Sequence, residues 1–121
     1  MTTAAKSTVG AVSYNNHDAN ITMWELAAGQ VGEPLVDPAA ADRSIHFYGT
    51  FGGATVVLEG SNEPDETTAS NYETLTDPQG NAISKASSAL RAVTEMVRQV
   101  RPRVVGGDGT TQIFAKLLAK R

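Results

Sequence analysis

The sequence predicts an all-β domain, an antiparallel β-sandwich of the jelly-roll kind. Three observations predict it: short runs of alternating or β-branched residues, glycine- and proline-rich turn signals between them, and only one stretch with helical spacing, near residues 87–97. With 121 residues, 40% of them hydrophobic, the chain is sized for one core. It divides into an extended arm over residues 1–20 and a sandwich domain over residues 21–121.

The arm is rich in Thr, Ala, Ser and Asn and lacks periodicity, so its order is expected to come from neighbouring chains. Ile21 to Leu26, with the single tryptophan Trp24, predicts a first strand; Gly29, Gly32, Pro34 and Pro38 then mark a loop. From Ser44 to Phe51 the pattern alternates, with Ile45, Phe47 and Phe51 on one face and His46, Tyr48 and Thr50 on the other. Gly52-Gly53 and the β-branched run Ala54 to Glu59 complete what reads as a hairpin. Gly60 to Asn71 is an acidic loop, and Tyr72 to Leu75 a short strand ended by the turn Asp77-Pro78-Gln79-Gly80-Asn81. Leu90, Val93, Met96 and Val97 behind Ser87 and Ser88 predict the short helix. Val100, Pro102 and Val104 alternate with Arg101 and Arg103, and the proline predicts a sheet edge. A second hairpin turn, Gly106 to Gly109, leads into a last strand in which Ile113, Ala115 and Leu117 share a face.

No apolar run is long enough to predict a membrane span, and no basic-then-apolar leader precedes Gly10, so a soluble protein not exported by the usual route is expected. The absence of cysteine excludes disulfides and thiolate chemistry and agrees with a cytosolic setting. The net charge of −3 hides an asymmetry. Residues 1–80 carry eleven acids against two bases, a balance of −9, and residues 81–121 carry eight bases against two acids, a balance of +6. Such a split marks an interaction surface. Arg91, Arg98, Arg101 and Arg103 on one side, and Glu63, Asp65 and Glu66 on the other, are the candidate protein-interface residues, because guanidinium forks suit carboxylates.

Catalytic and cofactor signatures are missing. Gly106-Gly107-Asp108-Gly109-Thr110-Thr111 lacks the lysine of a phosphate loop, and its aspartate would repel phosphate. His17 and His46 stand 29 positions apart without zinc-ligand spacing, and no nucleophile elbow occurs. Glu59, Asn62, Glu63, Asp65 and Glu66 offer oxygens to calcium, but without the register of an EF-hand. The arginines lack the interleaved aromatics of a nucleic-acid platform. No enzyme, cofactor, metal, membrane or nucleic-acid partner is expected.

The segments Phe47-Tyr48-Gly49-Thr50-Phe51-Gly52-Gly53-Ala54-Thr55-Val56, Val57-Leu58-Glu59-Gly60-Ser61-Asn62, Tyr72 to Asn81 and Val100 to Thr111 together resemble small structural proteins of tailed bacteriophages and prophages. The resemblance covers roughly residues 20–118. It departs at Glu63-Pro64, where Asp-Gly is usual, and at Tyr72, where tryptophan is usual. It implies a virion protein, in the first place a head decoration (cement) protein of β-sandwich or jelly-roll fold. Such a protein binds the major capsid protein as a dimer or trimer on the phage head surface, after synthesis in the host cytoplasm. The alternatives it leaves are a neck or tail position, or a carbohydrate-binding adhesion module. The latter follows from Gly60-Ser61-Asn62 leading to Tyr72-x-x-Leu75, which resembles discoidin-like sugar-binding sandwiches.

Overall fold

A computed structural model describes residues 20–36, 42–65 and 70–120, together with the backbone of Thr3–Ala4, Lys6–Val12 and Ala19. Twelve strands are described: β1 (Thr3–Ala4), β2 (Lys6–Val12), β3 (Ala19–Leu26), β4 (Val31–Gly32), β5 (Leu35–Val36), β6 (Asp42–Thr50), β7 (Thr55–Ser61), β8 (Glu73–Thr74), β9 (Ser84–Lys85), β10 (Ala89–Val93), β11 (Gln99–Val105) and β12 (Gln112–Lys120). They form two sheets. One runs β1-β4-β11-β7-β8, with β5 also on β11 and β9 also on β7; the other runs β10-β6-β12-β3-β2. All pairs are antiparallel except β1 with β4. This is the expected all-β sandwich of jelly-roll type.

The alternation read in the sequence sets the packing. Ile45 and Phe47 from β6, Trp24 and Leu26 from β3, and Ile113, Ala115 and Leu117 from β12 are at most 1% exposed and face Val56, Leu58, Val100 and Val104 of the other sheet. Trp24 also donates its indole N–H to the Glu33 carbonyl at 2.9 Å, so its one polar atom is satisfied. β12 is the central strand of its sheet, with β6 on one side and β3 on the other.

Four expectations are corrected. The described parts of residues 1–20 are not an arm: Lys6–Val12 pairs along β3, with an irregularity between Thr8 and Gly10, and Thr3–Ala4 pairs with β4. Their partners are strands of the same chain, which a composition of small polar residues does not announce.

The helix near residues 87–97 is also replaced. Ala89–Val93 is a strand on the edge of β6, and Leu90 (59% exposed) and Met96 (69%) stand outside while Val93 is buried. The helical spacing thus never forms one apolar face, and pairing with β6 decides the conformation.

Neither glycine turn makes a hairpin. β6 and β12 belong to the five-stranded sheet, and β7 and β11 to the seven-stranded one, so Gly52-Gly53 and Gly106 to Gly109 each carry the chain across from sheet to sheet. The two crossings are tied together. The Thr111 hydroxyl donates to the Phe51 carbonyl at 3.0 Å and accepts the Asp108 N–H at 3.0 Å. Gly52, at φ +57°, leaves no room for a side chain, since a Cβ there would lie 2.6 Å from the Asp108 carboxylate. Hydrogen bonds from the Thr110 hydroxyl and N–H hold the Asp108 carboxyl below its ordinary pKa.

Finally, β11 is interior despite Pro102. Val104 donates its N–H to Gln30 at 2.8 Å, which turns the backbone groups of the even-numbered residues toward β4 and β5. Those two strands pair with β11 only at Arg103 and at Gln99–Val100. The missing N–H of Pro102 therefore falls opposite Gly32, at the very end of β4 beside the Glu33-Pro34 break, where Gly32 leaves room for the proline ring.

Glu95 braces the segment after β10. Burial alone would raise its carboxyl, but the Thr76 N–H (2.9 and 3.1 Å) and the Thr76 hydroxyl (2.7 Å) favour the ionised form and hold the pKa below the ordinary carboxylate value. A depressed folded value means that the stabilisation is present above the unfolded pKa and is lost as pH falls through the folded one. Glu95→Gln is expected to cost about 1 kcal/mol at neutral pH. In urea titrations the gap to the parent should close in acid, and a gap that stays constant with pH would sink this account.

Candidate functional site

The outer face of the seven-stranded sheet brings most of the expected interface residues together. Arg101 stands directly across from Glu59, and Arg103 one step along. Arg101 Nε donates to one Glu59 oxygen at 2.7 Å and Arg103 Nε to the other at 3.2 Å. The Glu59 side chain is only 6% exposed, those of the arginines 23% and 33%. Two guanidinium groups thus share one buried carboxylate, a cluster with a surplus of one positive charge. The Arg101 guanidinium lies 3.7 Å over the Tyr72 ring, a cation–π contact that fixes its plane. Neither arginine has a further hydrogen bond or ion pair within the described residues, so the terminal nitrogens of both remain available.

Around this cluster the acidic loop is stitched to the sheet. The Tyr72 hydroxyl donates to Gln99 Oε1, and fully buried Gln99 donates its Nε2 to the Glu63 carbonyl at 2.7 Å. The Glu63 carboxylate accepts the N–H groups of Ser70 (3.3 Å) and Asn71 (3.0 Å). Arg98 donates its N–H to Asn62 Oδ1 (2.9 Å) and its Nε to the Pro64 carbonyl (3.1 Å).

Glu63 and Arg98 therefore hold the loop in place, and Asp65 is exposed beside them. Glu66 lies outside the described residues. Arg91 is elsewhere, on β10 of the other sheet, 3.9 Å from Asp77 and bonded to the Leu90 carbonyl.

The sequence named these arginines as outward-facing and expected their carboxylates on another molecule; the first carboxylate they meet is their own. Glu59 entered the sequence reading only as a possible oxygen ligand for calcium, and both of its oxygens are taken by arginine. Among the described residues no group of three acidic or histidine side chains converges on one point. Gln99 had no site signal at all and Tyr72 entered only through the resemblances, since their role depends on register with strands far away in the chain.

The outer face of the five-stranded sheet differs in character. Tyr48 and Phe114 are cross-strand neighbours with rings stacked at 5.3 Å, His46 lies 5.0 Å from Tyr48, and Lys116 Nζ is 5.3 Å from the Tyr48 ring. Of the six described aromatics only Trp24, Phe47 and Phe51 pack in the core, because alternation sends every second residue of β6 and β12 outward. At the crossover end a cleft of about 350 Å³ is lined by polar Glu25, Gln30, Thr110 and Gln112 among others.

No protein-family model matches the chain, and no curated protein matches it. Among solved structures it is similar to a cupin domain from Bordetella pertussis Tohama I, with 12% identity over 99% of this chain and 96% of that one and a TM-score of 0.49. It is also similar to KdgF from Halomonas sp., with 14% identity over 96% and 77% and a TM-score of 0.44. At these values neither likeness carries an activity across, and the architecture stands on the strand pairing itself.

Proposed function

We propose that the chain is a non-enzymatic virion subunit of a tailed phage, a decoration protein that seats on the major capsid protein and stiffens the head shell. One structural observation supports the stiffening role: the space between the sheets is filled by Trp24, Ile45, Phe47, Leu58, Ile113 and Leu117, none more than 1% exposed, which makes a solid plate. The non-enzymatic part rests on the sequence, which carries no catalytic motif. The virion part rests on the resemblance of residues 20–118 to phage structural proteins. The surplus charge of Arg101 and Arg103 supplies a contact for shell carboxylates. Neck or tail placement calls on the same surface chemistry.

The test is thermal. Head shells carrying the protein are expected to melt at a higher temperature than shells stripped of it, and re-addition should restore the difference through saturable binding. Equal melting with and without the protein would overturn the stabilising role.

A second reading, a glycan-binding module, is favoured by the polar cleft at the crossover end, whose amide, hydroxyl and carboxylate groups suit sugar hydroxyls. A glycan array with bacterial surface polysaccharides separates the two readings: saturable signal, abolished by Gln30→Ala, would support this one.

A further inference from the structure

We infer that the heads of Arg101 and Arg103 form an oxyanion-binding site that takes one singly charged carboxylate. Where that carboxylate belongs to a shell the inference rests on the decoration reading; the site itself is a property of the isolated chain. The two residues stand two positions apart on β11, about 6.8 Å along a strand. Both Nε atoms nevertheless reach the oxygens of Glu59, at 2.7 and 3.2 Å. One buried carboxylate therefore gathers two guanidinium heads at one spot. Each guanidinium has five N–H donors and spends one of them on Glu59, which leaves the terminal nitrogens of both to hold an incoming group.

Charge decides what kind of group fits. Two guanidinium ions held by one carboxylate leave a surplus of one, and the residues beside them in register bring no further acid. Thr74 stands across from Glu59, and Val57 and Val31 stand on either side of Arg103. Glu59, Val57 and Val31 are buried, so little water screens the surplus, and the like charges are held together at a cost that a second anion removes. A monoanion closes the balance, whereas a dianion overshoots it. A carboxylate also matches the planar guanidinium fork, which offers two parallel N–H···O bonds to one group. Tyr72 completes the site. Its ring lies 3.7 Å from the Arg101 head, which covers one face of the guanidinium and leaves the edge as the open approach.

The experiment is a nuclear magnetic resonance titration of the isotope-labelled full chain, following the arginine Nε–H signals. Sodium acetate is the monoanion, sodium sulfate the dianion, and sodium chloride holds the ionic strength constant. Acetate is expected to shift the Arg101 and Arg103 signals saturably, with half-saturation in the millimolar range, and sulfate is expected to bind no more tightly. Arg103→Lys keeps the charge but not the fork and should weaken acetate binding about fivefold or more. Arg103→Gln should abolish saturation, while Lys116→Gln, on the other sheet, should leave it unchanged. Trp24 fluorescence reports whether each variant is folded; if Arg103→Gln is not, Arg103→Lys carries the test.

A capped peptide, acetyl-Gly-Glu-Gly-amide, tells the sources of the carboxylate apart. Binding at least as tight as that of acetate assigns the site to a protein side chain, and weaker binding assigns it to a free organic acid. Shifts that chloride reproduces, that never saturate, or that survive Arg103→Gln overturn the inference. Tighter binding of sulfate overturns the charge match on which it stands. Shells that melt alike with and without the protein while acetate still binds would sink the decoration reading and leave this site in place.

Discussion

Glu59→Ala is expected to destabilise the domain by about 3 kcal/mol, near the low end for breaking a buried ion pair because the arginines are partly exposed. For a domain of this size that is a fall of roughly 10 °C in Tm. The cause is the removal of one carboxylate that satisfies two guanidinium groups, which leaves both arginines side by side on β11 with no carboxylate between them. Glu59→Gln keeps the shape and one acceptor but not the charge, and should lie between the two. Arg101→Glu with Arg103→Glu should be worse than either, since three carboxylates would then crowd one patch. Calorimetry checks the order; equal Tm values for parent and Glu59→Ala would show that the cluster is a solvated surface feature.

Gly49→Ala should be at least as damaging, at about 3 kcal/mol or more, because two costs add. The residue sits at φ +124°, a region L-residues rarely enter, and a Cβ built there collides with the backbone carbonyl of Gln112 on the neighbouring strand. A flexible side chain could swing away, but a ladder carbonyl in the middle of a sheet cannot. Soluble yield and denaturant midpoint are the readouts. A variant as stable as the parent would mean that β6 and β12 are further apart than described. Gly49 lies in the Gly-Thr-Phe-Gly-Gly-Ala run that carries the phage resemblance, and so does Gly52 at the crossover. That part of the resemblance is thus a set of fold requirements.

The sandwich was legible in the sequence because its main strands alternate cleanly: Ile45 and Phe47, or Ile113, Ala115 and Leu117, fall inward on a period of two with almost no exposed surface. Glycine turns were legible as places where the chain bends, but the bend does not say which sheet the next strand joins, and both glycine turns turned out to be crossings. Pro102 was misread for a related reason. Its placement depends on a break between β4 and β5 some seventy residues earlier. The arginine side of the site was found from charge and alternation. Its counterpart was not, because Glu59 is separated from Arg101 and Arg103 by 42 and 44 positions and only the β7–β11 register joins them. Leu90 to Val97 misled because helical spacing over two turns costs a sequence nothing when half of those residues face solvent.

The central position of β12 has a consequence for biosynthesis. While a ribosome is still making the stretch before Gln112, β6 and β3 exist as two strands with no partner between them, each offering an open apolar edge. Closing the sheet requires joining segments that are some seventy to a hundred positions apart, so folding belongs to the slow class, in milliseconds to seconds, and cannot proceed strand by strand from the N-terminal side. A chain cut short in that stretch is therefore not a smaller sandwich but a sticky fragment, and quality control in the cell acts before this domain has any native state to protect.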